Sequence, residues 1–170
     1  MHKKIQTLTT KFWQNIATLG PIGFQKAPGT WASIVSFPFL LFFSWNQAWP
    51  QRFICALFTF LIALIASHFY LKSSQKAGDP SEVVIDEVAG MAVLFVWPLG
   101  DFLENSSFER GLFGLIGLAL FRLFDIWKPA FIGWSDRHIK GAFGIVFDDV
   151  LAGALAGLGF NFLVLLGRVI

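Results

Sequence analysis

Cysteine is nearly missing from this chain: Cys55 is the only one in 170 residues, and it sits inside an apolar run. A lone cysteine excludes an intrachain disulfide, a cysteine-based metal site and a cysteine-rich scaffold. Charge is scarce as well. Asp, Glu, Lys and Arg make up 14% of the residues, against about 25% in a soluble domain. The polar surface that a soluble globule of this size needs is therefore not there. Also lacking are linkers, low-complexity segments, internal repeats and any polar stretch large enough to fold separately. Residues 1–170 thus read as a single domain whose site must be built from helix ends and short loops.

What the chain has in quantity is apolar surface: 55% hydrophobic and 17% aromatic residues, with a mean hydropathy of +0.64. A bilayer is the natural solvent for such a composition. Five stretches approach the length of about 20 residues that a helix needs to cross one: Trp31–Trp45, Phe53–Leu71, Val83–Leu103, Gly111–Trp127 and Phe147–Leu166. The first is short, interrupted by Gly29 and Pro38, and could be re-entrant. The expected fold is all-α, a polytopic membrane bundle of four or five transmembrane helices plus an N-terminal amphipathic helix. That last helix rests on Ile5, Leu8, Phe12, Ile16 and Leu19, which recur at helical spacing among Lys3, Lys4 and Lys11. An ordinary helix packed on the rest would show the same pattern. No uninterrupted apolar core follows Lys3 and Lys4, so the segment is not a secretory signal.

With five spans, Lys3, Lys4, Lys11, Lys26, Lys72, Lys76, Lys128, Arg137 and Lys140 fall on one side and Arg52, Arg110 and Arg168 on the other. That bias predicts a cytoplasmic N-terminus. Asp79, Glu82, Asp86, Glu87, Asp125, Asp136, Asp148 and Asp149 gather on the same side as the nine basic residues. Asp101, Glu104 and Glu109 do not. Acid and base concentrated at one face suit a place where a metal meets an anionic headgroup.

Two clusters stand out. In Asp79-Pro80-Ser81-Glu82-Val83-Val84-Ile85-Asp86-Glu87, Pro80 suits a first helical position and Asp79 the N-cap before it. On such a helix Asp79, Glu82 and Asp86 share one face, an oxygen-rich set suited to a hard cation such as Mg²⁺. Asp79 and Glu82 also fit a capping box. Asp86 and Glu87 have no capping role, and near an apolar span they need a cation. In the second cluster Asp148 and Asp149 are expected to open the last span. Gly153 and Gly157 form a small-xxx-small pattern that would let helices approach and bring the two acid pairs together. Arg122 and Asp125, three apart, suit an ion pair. His68 and His138 have no ligand spacing between them.

Three blocks carry a family resemblance: Lys26-Ala27-Pro28-Gly29-Thr30-Trp31-Ala32-Ser33, the segment from Asp79 to Gly90, and the stretch from Phe121 to Gly153. In their order and spacing these resemble the phosphatidylglycerophosphatase A enzymes of bacteria. The resemblance implies Mg²⁺-dependent removal of the terminal phosphate of phosphatidylglycerophosphate, in the inner membrane. On that footing Asp79, Glu82, Asp86 and Asp149 are expected to bind Mg²⁺, and Asp86, Glu87 and Asp148 to serve catalysis. Lys128, Arg137 and Lys140 would meet the phosphate, and no nucleic-acid partner is expected. Residue types set aside other phosphatase chemistries: Cys55 lacks a following x5-Arg, and there is no Asp-x-Asp pair. The rival class is a small ion or proton transporter. It predicts acids spread through the membrane depth, whereas here they collect at one face.

Overall fold

The computed structural model describes residues 2–45, 47–74, 79–98 and 106–169, and no strand occurs among them. Seven helices follow in order: α1 (His2–Ala17), α2 (Pro28–Trp45), α3 (Trp49–Ser74), α4 (Ile85–Leu94), α5 (Ser107–Trp127), α6 (Ala130–His138) and α7 (Gly141–Val169). A short 3-10 turn, Ile22–Phe24, links α1 to α2.

The shortest of the inner helices organises the rest. Nearly all of α4 is buried, including Ile85, Asp86, Glu87, Ala89, Gly90, Met91, Ala92 and Leu94. It packs against α7, α3, α2 and α5. One core, around Met91, Leu94, Phe121 and Phe160, lies on one side of it; a second, around Ala63, Ala66, Val83 and Ala89, lies on the other. The sequence pattern predicts a span over Val83–Leu103, but the helix stops at Leu94, about 15 Å long at 1.5 Å per residue. Phe95, Val96 and Trp97 turn out of it, and Pro98 has no amide with which to continue. Residues 99–105, and with them Asp101 and Glu104, lie outside the described residues, as do Lys76 and the side chains of Lys3, Lys4, Ile5 and Arg168.

Among the described residues two helices are long and apolar enough to cross a bilayer, Trp49–Ser74 and Gly141–Leu166. Only 28% and 33% of their most apolar windows is buried, so they turn large side chains such as Phe58, Ile54, Phe162 and Leu165 outward. A soluble core helix would have those residues covered. α2 runs unbroken through Pro38, in place of the interrupted segment expected, with Pro28 at its first position, where a missing amide costs nothing. α5 opens on a capping box formed by Ser106 and Glu109 and ends at Lys128, which takes a left-handed conformation (φ 48°) ahead of Pro129. α6, not foreseen, follows immediately. α1 lies along α3, its Trp13 ring stacked on Phe69 at 5.7 Å, while Leu8 and Phe12 face outward.

Two further expectations need correction. Residues 79–84 are not helical. Val84 is held instead by a bond from its amide to the Ala17 carbonyl at 2.8 Å, so the helix begins only at Ile85. And α7 begins at Gly141, which places Asp148 and Asp149 two turns inside the helix rather than at its start.

The beginnings of α2, α4 and α7 and the ends of α3 and α5 converge at one end of the bundle. Glycine sets how closely they meet. A Cβ on Gly153 of α7 would lie 2.0 Å from the Gly90 carbonyl oxygen of α4, and one on Gly90 would lie 2.6 Å from the Asp149 oxygen. Backbone therefore meets backbone where α4 and α7 cross, and the expected glycine-mediated approach is what draws the two acid pairs together.

Candidate active site

At that end lies a cavity of about 250 Å³ whose walls include Asp79, Asp86, Glu87, Asp125, Asp148 and Asp149, together with Arg122, Lys128 and the Pro28–Thr30 start of α2. Asp86 and Glu87 occupy the first turn of α4, where the positive end of the helix dipole favours anionic side chains. The Glu87 amide donates to Asp86 Oδ1 at 3.0 Å.

Glu87 is held through its Oε2 oxygen. It accepts from Arg122 Nη1 and from Ser33 Oγ at 3.1 Å. A Cβ on Gly29 would sit 1.9 Å from its Oε1, so the bare backbone at the start of α2 makes the room this carboxylate occupies. Arg122 also pairs with Asp125 at 2.9 Å, the ion pair expected from their spacing, and its other terminal nitrogen lies 3.4 Å from Thr30 Oγ1. A buried charge of this kind is tolerable only when it is paired, and α2, α4 and α5 each contribute to the pairing.

Opposite stands Lys128, whose left-handed backbone turns it out of α5. Its Nζ donates to Asp136 Oδ1 and Asp148 Oδ2, both at 2.6 Å. Burial alone would lower its pKa, but the hydrogen bonds to the two carboxylates outweigh that and hold it above its ordinary value. The same ammonium holds the Asp136 carboxyl below the usual range. Asp79 sits at the rim with much of its surface exposed. Partial burial, and then the negative charge of Asp148, push its carboxyl up to about 6, with Lys128 opposing.

Two carboxylate oxygens on α7 remain buried and without a hydrogen-bond partner: Asp148 Oδ1 and Asp149 Oδ2. Buried acceptors of this kind call for a cation, a proton or water. All the donors facing the cavity are oxygen, the set that suits Mg²⁺ or Ca²⁺ rather than a soft metal. Among the described residues no three His, Cys, Asp or Glu side chains are gathered as a ready-made cage. Mg²⁺ does not require one, because it is ordinarily held by one or two carboxylates with water and substrate phosphate completing its shell. The residues present fit that ion.

A second cavity of about 120 Å³ abuts the first, sharing Asp79, Ile145 and Asp148 and adding Asp136 and Lys140. Of the residues singled out from sequence, Asp79, Asp86, Glu87, Lys128, Asp148 and Asp149 come together in the main cavity, and Lys140 borders its neighbour. Glu82 does not reach either; it accepts from the Tyr70 hydroxyl at 3.3 Å, because the turn at 79–84 replaces the helix that would have aligned it with Asp86. Arg137 is exposed on α6 and lines neither cavity. Sequence reasoning missed the link from Arg122 to Glu87, the role of Ser33 and Thr30, and the Asp136–Lys128–Asp148 chain. The one available signal was Arg122 itself, a charge set with Asp125 inside the apolar run Gly111–Trp127.

Two long helices with outward apolar faces and a carboxylate-rich cavity flanked by Arg122 and Lys128 define the class: an all-helical protein with the surface of a membrane-associated one. The chain belongs to the phosphatidylglycerophosphatase A family, whose model matches residues 15–164. It is 29% identical over 130 residues to the Phosphatidylglycerophosphatase A of Escherichia coli (strain K12), covering 76% of this chain and 69% of that one. It is 31% identical over 134 residues to the protein of the same name in Haemophilus influenzae, covering 78% and 76%. A Bacteroides thetaiotaomicron protein with the provisional name phosphatidylinositol-3-phosphatase is 34% identical over 134 residues, covering 75% and 77%. No solved structure matches the chain.

Proposed function

We propose that this protein removes the terminal phosphate of phosphatidylglycerophosphate, giving phosphatidylglycerol and inorganic phosphate. Family membership and the names of two relatives support the reaction. The observation that carries it is the pair of unpartnered oxygens, Asp148 Oδ1 and Asp149 Oδ2, in a cavity that also presents Arg122 and Lys128.

On this reading Asp86 and Asp149, with Asp79 beside them, would hold Mg²⁺. Glu82, engaged by Tyr70, is left out of the set. When bound, the ion supplies Lewis-acid polarisation of a phosphoryl oxygen. Lys128 has three donors and gives two to Asp136 and Asp148, leaving one for a phosphate oxygen. Arg122 likewise keeps donors beyond those given to Glu87 and Asp125. Asp148 has one oxygen fixed by Lys128 and the other open, the arrangement of a general base oriented by its neighbour. It takes a proton from the attacking water as the bond from phosphorus to the glycerol oxygen breaks, and returns that proton to the departing glycerol oxygen, leaving phosphatidylglycerol and inorganic phosphate. Glu87 acts through Arg122, keeping the guanidinium at the cavity wall.

The protein is read as a multi-pass component of the bacterial inner membrane with this cavity facing the cytoplasm. α2, α3, α5 and α7 would cross, and the chain direction asks for a fifth crossing between α3 and α5, of which α4 forms the cytoplasmic half. Exposed apolar flanks and the clustering of Lys11, Lys26, Lys72, Lys128, Arg137 and Lys140 near one face support this placement.

The headgroup is tested by comparing phosphate release from phosphatidylglycerophosphate, phosphatidic acid and phosphatidylinositol 3-phosphate in mixed micelles. The expected result is a kcat/KM for the first at least about tenfold above the others, a difference of roughly 1.4 kcal/mol. A preference for phosphatidylinositol 3-phosphate would move the protein to the specificity named for the Bacteroides relative.

A further inference from the structure

α6 is amphipathic in an inverted sense. Ile132, Gly133 and Ser135 face the protein and are buried, with Ser135 fully covered and Ile132 3% exposed. The opposite face carries Phe131 and Trp134, 80% and 52% exposed. The Trp134 ring stacks on His138 at 5.0 Å, and a shallow recess of about 300 Å³ lies against Ala130, Phe131 and Trp134. In water, a nine-residue helix gains nothing by presenting its largest aromatic side chains outward.

Where this face lies says what covers it. α6 joins the end of α5 to the start of α7, a helix of membrane-crossing length and composition. Left-handed backbone at Lys128 (φ 48°) and positive φ at Ala130 (40°) turn the chain sharply into it. α6 therefore lies at the end of the bundle, continuous with the outward apolar side chains Ile126 and Trp127 of α5. Its last turn and the residues after it bring Arg137, His138 and Lys140 to the surface, with Asp136 engaged by Lys128. Aromatic rings beside exposed cations are the pattern that suits the headgroup region of an anionic leaflet.

We propose that the outer face of α6 is a lipid-docking surface: Phe131 and Trp134 enter the headgroup boundary of an anionic leaflet, and Arg137 and Lys140 meet lipid phosphates there. Arg137, which lines neither cavity, thereby acquires a role outside the reaction. Because Lys128 lies at one end of this helix and Lys140 at the other, docking it sets the cavity mouth level with the headgroups. The inference rests on the bilayer location proposed above and not on the chemistry.

The test uses the full-length protein with Cys55→Ser, reconstituted in vesicles of phosphatidylglycerol and phosphatidylcholine, with a nitroxide attached through Phe131→Cys or Trp134→Cys. Collision with oxygen is expected to exceed collision with a water-soluble nickel chelate at both positions. Nickel dominating would place the face in water, and shielding from both reagents would show that another protein chain covers it; either overturns the proposal. In parallel, Trp134→Ser is expected to raise the half-saturating surface concentration of vesicle-borne phosphatidylglycerophosphate about fivefold. Turnover of a short-chain, water-soluble analogue should stay within about twofold of the parent. Equal losses on both substrates would mean that the face supports catalysis rather than docking. If the parent protein hydrolyses neither substrate, the proposed reaction fails while the nitroxide result still decides the docking.

Discussion

Gly153 of α7 lies directly against the Gly90 carbonyl of α4, close enough that a single added methyl would come within 2.0 Å of the oxygen. This contact lets two helices that each carry adjacent acids share one cavity. Because the obstructing atom is backbone, no side-chain rotation can relieve a substitution there. Gly153→Ala is expected to cost about 1–3 kcal/mol and to reduce turnover by moving Asp149 relative to Asp86. Gly159→Ala, whose new methyl would meet nothing closer than 3.8 Å, should change stability by less than about 0.5 kcal/mol. Thermal unfolding in detergent separates the two cases; equal effects would show that the crossing does not govern the site.

Arg122 pairs with Glu87 and Asp125 at once. Arg122→Ala leaves both carboxylates facing each other with no cation between them. Removing one partner of a buried pair typically costs about 3–5 kcal/mol, so this variant should be among the least stable of the site substitutions. Glu87→Gln keeps a hydrogen-bonding side chain in the space made by Gly29 and should lose markedly less. Chemical unfolding of the three proteins gives the order, and the reverse order would contradict the pairing described here.

Asp79, with its carboxyl pushed up to about 6, gives the site a pH dependence with a definite sign. Below that value the group is protonated in the folded protein, which favours folding relative to an unfolded chain ionising near 3.8. This stabilisation is lost as the pH rises through about 6. Ionisation would also be what lets Asp79 serve as the proposed cation ligand, because ligands must shed their protons to bind. Metal-free protein should therefore lose stability between about pH 4 and 6, while Mg²⁺ affinity rises up to about tenfold per pH unit below pH 6. Asp79→Asn should flatten both profiles. Thermal scans at several Mg²⁺ concentrations between about pH 4 and 8 measure them, and an affinity that fell with rising pH would refute the assignment.

How much of this was legible in the sequence depended on the kind of evidence each residue offered. Composition and apolar runs point to α2, α3, α5 and α7 because outward-facing apolar side chains need no partner to be recognised. α4 misled for a physical reason. It is apolar all round because it is buried on all sides, and a buried half-helix followed by Phe95-Val96-Trp97 reads like one long span. Paired acids at Asp86-Glu87 and Asp148-Asp149 were conspicuous in apolar surroundings, and Gly153 hinted at how they meet. The helix assumed at Asp79 was drawn from capping signals that serve a turn equally well, which is why Glu82 was aligned with the site and is not. The bonds from Arg122 to Glu87 and from Lys128 to Asp136 join residues 35 and 8 positions apart across separate helices. No local pattern encodes them.

On the proposed reading, Asp149 and Asp86 hold a cation without which phosphate is not released. The most direct measurement is phosphate release from phosphatidylglycerophosphate by purified parent protein and Asp149→Asn, each with Mg²⁺ and with a chelator, alongside thermal unfolding of both. The parent is expected to be active only with Mg²⁺ and to unfold at a higher temperature in its presence, while Asp149→Asn is folded, unshifted by the metal and slower by about 10² or more. Full activity of Asp149→Asn, or of the parent in chelator, would contradict it.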